Sequence, residues 1–315
     1  MPITTATNPE VGRTLIRKII DQEAKTHDNK FSKVIGKTIT DQLSEYNYSQ
    51  STPLGLAPIV NQASGIPVDS TSVRNKKTMY AYKRGLGVDY STEAVETDQF
   101  GEYAKTGKKL ARAFIQTKEI ICADTFFNAA FTDTDIGVDS LPLYTSNGLS
   151  SGTGHLTDDP ASRFNNRGVR SGTTYADVAF GYFGLELALQ EFMSSVDARG
   201  LPMMVSGQKI LVVPVALAGI ANRVVNAMKL PQSNDNDPNY AGGMISAVVV
   251  SEYLTSSSAW FLLDVAELPF FMWQRRGYKV KMNENINNDV VQYRATEIYS
   301  FGSEKPQGCW GTTGA

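Results

Sequence analysis

The chain has 315 residues, of which 42% are hydrophobic and 20% are charged, so it can bury one large core or two smaller ones. Its 30 basic residues nearly balance its 32 acidic ones, and the formal net charge of −2 excludes a dedicated nucleic-acid-binding protein, which would be strongly basic. The two cysteines, Cys122 and Cys309, are too far apart for a CxxC metal site and are typical of a reducing cytoplasm.

The first predicted elements are a short helix and a long extended arm. Asn8, Pro9 and Glu10 form a helix start, and the apolar stripe that follows dissolves after Lys25. This N-terminus has neither the basic nor the apolar region of a signal peptide. Residues 38–70 are rich in proline, glycine and small polar residues, and the segment is too long for an ordinary loop. We expect such an arm to find its hydrogen-bond partners on a neighbouring surface or chain.

Residues 71–90 alternate polar with apolar or aromatic side chains and predict two strands that pair with each other. Residues 70–88 carry five basic side chains and no acid: Arg74, Lys76, Lys77, Lys83 and Arg84. Residues 89–102 carry five acids and no base, among them Glu93, Glu96 and Asp98. The basic, tyrosine-rich strands resemble a surface for single-stranded nucleic acid, but the adjacent acids favour a protein partner.

The strongest helical pattern begins near residue 92. Apolar residues recur at helical spacing from Phe100 to Ala129, with acids early and bases late. A helix of some thirty residues would extend about 50 Å at 1.5 Å per residue, which predicts a structural spine. The segment 132–172 that follows is rich in Gly, Ser, Asp and Asn and predicts a long irregular loop.

The second half of the chain alternates helices with strands. A helix is predicted from Thr174, with Val178 and Tyr182 facing inward, and it closes near Gly200. After Pro214 a second helix is predicted, which bears Ile220, Val224 and Met228. The longest apolar stretch, Ile210 to Ala221, contains Pro214 and is too short to span a bilayer. The predicted strands are 209–213, 245–250, 259–263, 278–282 and 290–301.

Catalytic and metal-binding patterns are nearly absent from the sequence. His155 stands near two acids, and we interpret this group as a solvated loop and not a metal site. Asp133, Asp135 and Asp139 resemble a calcium loop but lack its closing glutamate, so we interpret them as a surface turn. We find no phosphate-binding glycine loop and no nucleophile–base pair. The sequence therefore predicts no enzyme, no catalytic residue, no cofactor and no metal.

The C-terminal third carries a family resemblance. Its motifs, in chain order, are Tyr253-Leu254, the strand Ala259 to Leu263, an aromatic-Arg-Arg-Gly link, Gln292-Tyr293-Arg294-Ala295, Tyr299-Ser300-Phe301-Gly302 and Gly308-Cys309-Trp310-Gly311. These motifs resemble the ends of tailed-bacteriophage major capsid proteins. They are most similar to the Mu-like major head subunits, which share the Hong Kong 97 type capsid fold. The resemblance covers most of residues 40–310 in order.

The resemblance implies an α+β fold of the Hong Kong 97 type. The implied parts are an N-terminal arm (1–63), an E-loop that reaches over a neighbour (64–92), a peripheral domain with the spine helix and irregular loop (93–172), an axial domain (173–272), and peripheral-domain strands with the C-terminus (273–315). In such a subunit we expect the five basic residues of the E-loop to contact acids of an adjacent subunit. Glu93, Glu96 and Asp98 are the candidate partners.

The resemblance also implies the function of a major capsid protein. Such a protein self-assembles as pentamers and hexamers into the icosahedral shell around the double-stranded DNA of a tailed phage. The implied partners are a separate scaffolding protein, a portal protein, a decoration protein and packaged DNA contacted non-specifically, with no membrane. The implied location is the host cytoplasm before assembly and the virion capsid afterwards. The alternatives are an encapsulin-like nanocompartment shell and, in a different class, a soluble α/β enzyme.

Two further expectations concern maturation. Some family members cross-link their subunits through a Lys–Asn isopeptide bond, and Lys76 or Lys77 could pair with one of Asn283, Asn285, Asn287 and Asn288. We interpret these residues instead as parts of solvated loops. We also expect mature particles to keep the N-terminal arm.

Overall fold

A computed structural model describes residues 30–51, 54–61, 65–71, 73–91, 93, 102–145, 166–171, 174–195, 201–202, 207–229, 238–285 and 289–314. The helices in these ranges are α1 (Lys30–Val34), α2 (Glu102–Ala123), α3 (Tyr182–Met193), α4 (Ala218–Asn226) and α5 (Tyr240–Met244). The strands are β1 (Lys37–Thr40), β2 (Glu45–Ser51), β3 (Val73–Tyr80), β4 (Tyr82–Ser91), β5 (Val169–Ser171), β6 (Thr174–Ala176), β7 (Lys209–Pro214), β8 (Ile245–Ser251), β9 (Trp260–Asp264), β10 (Phe270–Asn285), β11 (Val290–Ser303) and β12 (Cys309–Thr312). The helix predicted after Asn8 lies outside the described residues.

Two four-stranded sheets form the body of the molecule. The first has the order β1-β10-β11-β4, with β1 parallel to β10 and the other neighbours antiparallel. The second has the order β12-β9-β7-β8, with β7 parallel to β8 and the other neighbours antiparallel. Side chains along β11 are alternately buried and less buried, which is why a period of two is visible in its sequence.

Helix α2 packs on the first sheet through side chains one turn apart. Leu110 and Phe114 join Ala295 of β11 in a buried cluster. The Phe114 ring meets the edge of Tyr278 on β10, with 4.9 Å between the ring centroids. The predicted spine helix is thus confirmed from Glu102 onwards. Its predicted start near residue 92 falls mostly outside the described residues.

The end of α2 redirects its apolar side chains. After Ala123 the helix widens into a π turn, Asp124–Asn128, which inserts one residue and shifts the phase of the apolar face. Phe126 and Phe127 therefore enter a large buried cluster between the two sheets. There the Phe126 ring stacks on Phe270 of β10 at 4.1 Å. This cluster joins the two sheets into one body.

The opposite face of the second sheet is covered by α3, α4 and α5. Leu185, Leu189 and Phe192 of α3 pack against this sheet, whose β7 and β9 are buried along their whole length. Because both faces of these strands are covered, the sequence shows them as continuous apolar runs. The Trp260 and Trp310 rings lie 5.0 Å apart in the same layer.

The helix predicted from Thr174 begins later than expected. Residues Thr174–Ala176 are strand β6, which pairs with β5, and α3 begins only at Tyr182. Tertiary hydrogen bonds hold the intervening backbone extended: Val178 N donates to Thr312 Oγ1 at 3.0 Å, and Val178 O accepts from Trp260 Nε1 at 3.0 Å. The long loop predicted over residues 132–172 correspondingly ends in strand β5.

The strands predicted over residues 71–90 are present, but they do not pair with each other. β3 pairs with β2, and β4 is an edge strand of the first sheet beside β11. The short connection at Ala81 therefore joins two different sheets. A single sequence reveals strands by their alternation but does not reveal their partners.

Candidate assembly surface

A two-stranded hairpin formed by β2 and β3 rises from the body. Its register pairs Tyr46 with Met79 and Tyr48 with Lys77. Tyr48, which is buried, packs against Phe271 of β10 with 5.3 Å between ring centroids. Tyr46 lies 5.7 Å from Trp273 by the same measure. Aromatic side chains of β2 therefore fix the base of the hairpin to the first sheet.

The base of the hairpin also binds a seven-residue loop that follows the π turn at the end of α2. We call residues 133–139 the acidic loop. Lys77 Nζ donates to Gly137 O at 2.9 Å and to Thr134 O at 3.3 Å, and Tyr48 OH donates to Ile136 O at 3.4 Å. The Lys77 ammonium thus lies where the sequence resembled a calcium loop.

Beyond Ser51 and before Val73 the hairpin carries an exposed apolar tip. Its aliphatic side chains are Leu54 (59% exposed), Leu56 (79%), Ile59 (97%), Val60 (41%), Ile66 (81%) and Val68 (96%). Asp69 links the two sides of the tip, because its Oδ2 accepts from Gly55 N at 2.8 Å. A run of aliphatic side chains held in water on an extended segment is typical of a surface that binds a protein partner.

The apolar tip offers more binding free energy than the exposed charges do. Burying a Val, Leu or Ile side chain contributes about 1.5–3 kcal/mol, so the tip offers on the order of 10 kcal/mol before ordering costs. An exposed ion pair contributes only about 0.2–1 kcal/mol. Sequence reasoning missed the tip because its aliphatic residues follow neither helical nor strand spacing. The available signal was their number within a segment otherwise rich in proline and glycine.

The predicted basic residues fall into two groups. Lys77 is directed at the acidic loop, and Arg84 donates to Tyr299 O at 3.0 Å with its guanidinium 4.4 Å from the Tyr299 ring centroid. These two therefore contact their own chain. Lys76 and Lys83 are exposed, and the side chain of Arg74 lies outside the described residues. Among the predicted acidic partners, Glu93 is exposed, and Glu96 and Asp98 lie outside the described residues.

An ion pair joins β4 to β11 near the charge reversal. Arg294 NH2 donates to Asp89 Oδ2 at 3.0 Å, and a second bond joins Arg294 NH1 to Asp89 Oδ1. The Arg294 hydrogen bond lowers the pKa of the Asp89 carboxyl from its ordinary value. Gly87 leaves room for this arrangement, because a Cβ there would lie 2.5 Å from Arg294 Cδ. Asp89, the first acid after the charge reversal, thus pairs with a base of its own subunit.

The structure describes only part of the residues that the sequence suggested for metal binding or cross-linking. Among the described residues, no group of three or more His, Cys, Asp or Glu side chains is placed to hold a metal ion. The predicted His155 loop lies outside those residues. Of the candidate cross-linking asparagines, Asn283 is exposed on β10, and the other side chains are not described.

Buried charge is confined to structural pairs in the parts of the chain that the structure describes. Lys209 Nζ lies 3.7 Å from Asp264 Oδ1, and both side chains have no exposed area. Lys118 of α2 binds the buried Glu297 of β11 at 2.6 Å. Within the described ranges, no helix combines the length and apolarity needed to cross a lipid bilayer.

Comparisons with known proteins identify the family. A sequence model of the family described as phage capsid protein matches residues 75–310. No curated protein matches the chain.

Similar solved structures cover nearly the whole chain. The capsid of Ralstonia phage GP4 is 10% identical, with a TM-score of 0.54, and the match covers 90% of this chain and 87% of that one. The capsid of the native GTA particle is 11% identical, with a TM-score of 0.53 and coverage of 91% and 90%. A virus-like particle from Pyrococcus furiosus is 6% identical, with a TM-score of 0.51 and coverage of 96% and 98%.

At such low identities the structural matches show a shared fold, which confirms the predicted α+β capsid fold. The Mu-like branch of the family stays a prediction. The family match is broader than a single motif, since it includes most of the second strand of the hairpin, the long helix α2 and most strands of both sheets. On this ground, the chain belongs to the phage capsid protein family.

Proposed function

We propose that this chain is the major, non-enzymatic building block of a closed phage head. Its subunits associate as pentamers and hexamers, and the apolar tip of each hairpin packs on a neighbouring copy. The observation that carries the proposal is the exposure of Ile59 and Val68, at 97% and 96%, on a hairpin whose base is firmly packed. A group of exposed aliphatic side chains of this kind marks a surface that binds a protein partner.

The strand pairing suggests a revised division of the chain. We propose that the E-loop comprises the hairpin from Glu45 to Tyr80, since β4 pairs within the first sheet. The first sheet with α2 would form the peripheral domain, and the second sheet with α3, α4 and α5 the axial domain. Strand β12 pairs with β9 and is therefore assigned to the axial domain, unlike β10 and β11.

The other expected partners follow from the same role. We propose that a scaffolding protein and a portal protein act during assembly in the host cytoplasm. The mature shell, as part of the virion, would enclose double-stranded DNA and contact it only non-specifically. A nearly neutral chain supports such contact better than sequence-specific binding. The encapsulin-like alternative shares the fold, but the family match favours a virus capsid.

The test removes the apolar character of the tip. The double substitution Ile59→Ser, Val68→Ser changes two exposed side chains, so the subunit should keep its circular dichroism spectrum and melting temperature. Closed shells in electron micrographs should be lost, because burial of the two side chains would otherwise contribute about 3–6 kcal/mol per subunit.

The matched control, Ile59→Leu with Val68→Ile, preserves the apolar surface and should assemble normally. Normal shells from the serine variant would contradict the proposed role of the tip. A wild-type protein that stays monomeric under all assembly conditions would contradict the proposed function itself.

A further inference from the structure

We infer that Lys77 is a positioning residue that latches the hairpin to the acidic loop and so sets the direction in which the apolar tip leaves the body. The importance of that direction rests on the proposed function, since a tip must reach a fixed site on its neighbour. The latch itself is a property of the single subunit.

The latch consists of backbone carbonyls gathered at one side of the hairpin base. The Lys77 ammonium binds the carbonyls of Thr134 and Gly137, and the hydroxyl of its cross-strand neighbour Tyr48 binds the carbonyl of Ile136. Three nearly successive carbonyls thus accept from two paired residues of the hairpin. A carbonyl that accepts from a charged donor makes a stronger bond than one that accepts from a neutral donor.

The shape of the acidic loop supports this arrangement. Gly137 is buried, and a Cβ there would lie 2.9 Å from Asp139 Oδ1 and 3.0 Å from Leu141 O, so only glycine fits without a shift. The next residue, Val138, packs with Tyr48 and Trp273 beneath the hairpin. The loop is therefore held tightly, and its carbonyls present a fixed surface to Lys77.

Charge adds to the hydrogen bonds. Burial lowers the pKa of Lys77, while the carboxylates of Asp133, Asp135 and Asp139 act in the opposite direction and favour the charged ammonium. Lys77 thus places a cation beside the three acids of the acidic loop.

The latch lies on the two strands that carry the tip. The hairpin contacts the body along β2 and β3, and the register shifts between Gln50 and Ser51, next to the tip. Beyond that shift the described tip side chains are mostly exposed. A rotation of the hairpin on the body would therefore displace the tip, because the tip is joined to the body through β2 and β3, with Gln50 Nε2 donating to Gln307 Oε1 at 3.4 Å as a further contact.

The direct test measures the hairpin direction in the unassembled subunit. Spin labels at Val68→Cys on the tip and Lys279→Cys on β10 report the distance between tip and body by electron paramagnetic resonance. Both positions are exposed, whereas the native Cys122 and Cys309 are buried. Wild type should give one narrow distance distribution. Lys77→Met, which keeps the stem but removes the charge, should make it roughly twice as broad.

Three variants serve as controls. Lys76→Met changes the neighbouring exposed lysine on the opposite face of β3 and should leave the distribution narrow. Lys77→Arg keeps a cationic donor and should restore a narrow distribution. Tyr48→Phe removes only the hydroxyl and should broaden it less than Lys77→Met, which keeps the inference testable if the methionine variant does not fold.

A narrow wild-type-like distribution in both Lys77→Met and Tyr48→Phe would overturn the latch. The assembly readout separates this outcome from the proposed function. If the latch holds and the proposed function is right, Lys77→Met should give fewer and irregular shells while Lys76→Met gives normal ones. A wild-type protein that forms no shells would refute the proposed function, yet the distance measurement would still decide on the latch.

Discussion

At the scale of single residues, the pair Lys209–Asp264 shows how the second sheet accommodates charge. Lys209 is fully buried. Its ammonium lies 3.7 Å from Asp264 Oδ1 and 5.2 Å from the centroid of the Phe192 ring. Burial lowers the pKa of Lys209, and Asp264 opposes that effect. Removing one partner leaves the other charge buried and uncompensated.

We therefore expect Lys209→Met to lower the free energy of unfolding by about 3–5 kcal/mol, measured by urea denaturation of the unassembled subunit. The double variant Lys209→Met, Asp264→Leu should recover most of this loss, because both charges are then absent. A double variant as unstable as the single one would show that packing, and not the unpaired charge, is responsible.

Asp177 provides a pH-dependent contact that joins Thr312 and Thr313, near the C-terminus, to Arg167. Burial alone would raise its pKa, but hydrogen bonds from Arg167 and Thr313 outweigh burial and lower the pKa to about 2. Arg167 NH2 donates to Asp177 Oδ2 at 2.8 Å, and Thr312 Oγ1 donates to Oδ1 at 3.1 Å. The ordinary value is 3.8, so the charged carboxylate stabilises the folded state above that pH.

This contribution must be lost as pH falls from about 4 to about 2, through the folded pKa. Asp177→Asn should lower stability by about 1–3 kcal/mol at neutral pH, measured by chemical denaturation. The difference from wild type should shrink towards zero near pH 2. A stability difference between Asp177→Asn and wild type that stays constant from about pH 4 to about pH 2 would show that side-chain shape, and not charge, causes the effect.

At the scale of elements, the sequence predicted strands more reliably than their partners. The predicted strands at 245–250, 259–263 and 290–301 correspond closely to β8, β9 and β11, because alternation or continuous apolarity marks them locally. The pairing of β3 with β2 was missed because it depends on the aromatic contacts of Tyr46 and Tyr48 with distant β10.

Long-range contacts override the local sequence pattern both at the start of α3 and in the candidate site. Residues 174–178 have a helical pattern, yet hydrogen bonds from Trp260 and to Thr312 hold Val178 extended. In the hairpin, charge pattern alone suggested one basic surface, whereas Lys77 and Lys76 point to opposite faces of β3. Which face meets the body depends on contacts far apart in the sequence, and local patterns do not contain them.

The exposed bases of this region still predict a salt effect. Lys77 now belongs to the latch, so the charge test uses Lys76→Glu with Lys83→Glu, two exposed positions. The isolated subunit should stay folded, while shell yield should fall and become more sensitive to salt, because salt screens the new repulsion. Light scattering at low and high ionic strength would measure the shell yield. Normal shell yield at low salt would show that these lysines do not face acidic surface.

At the scale of the whole molecule, the N-terminal segment and the C-terminal strand each complete a sheet. Strand β1 forms one edge of the first sheet, and β12 forms one edge of the second. Helix α1 precedes β1 and is fixed to α2, because Phe31 N donates to both carboxylate oxygens of Glu119 at 3.1 and 3.2 Å. Val34 is 2% exposed and belongs to the cluster between the sheets.

These contacts limit where a maturation protease can cut. Cleavage after Val34 would remove α1, and cleavage after Thr40 would also separate β1 from the rest of the chain. Loss of Val34 alone would remove a fully packed side chain, which costs about 2–4 kcal/mol in comparable cores. We therefore expect mature particles to retain the chain from Lys30 onwards, as the arm predicted from the sequence requires.

Intact-mass spectrometry of purified particles would measure the first residue of the mature chain. Limited proteolysis offers a second readout: sites within α1, β1 and β2 should be resistant in the unassembled subunit, because these elements are hydrogen-bonded to or packed on the body. Sites in the exposed tip should be cut first in the free subunit and become protected in shells. Mature particles that lack residues 30–51 would contradict the expectation, since the first sheet would then have lost an edge strand and the hairpin one of its two strands.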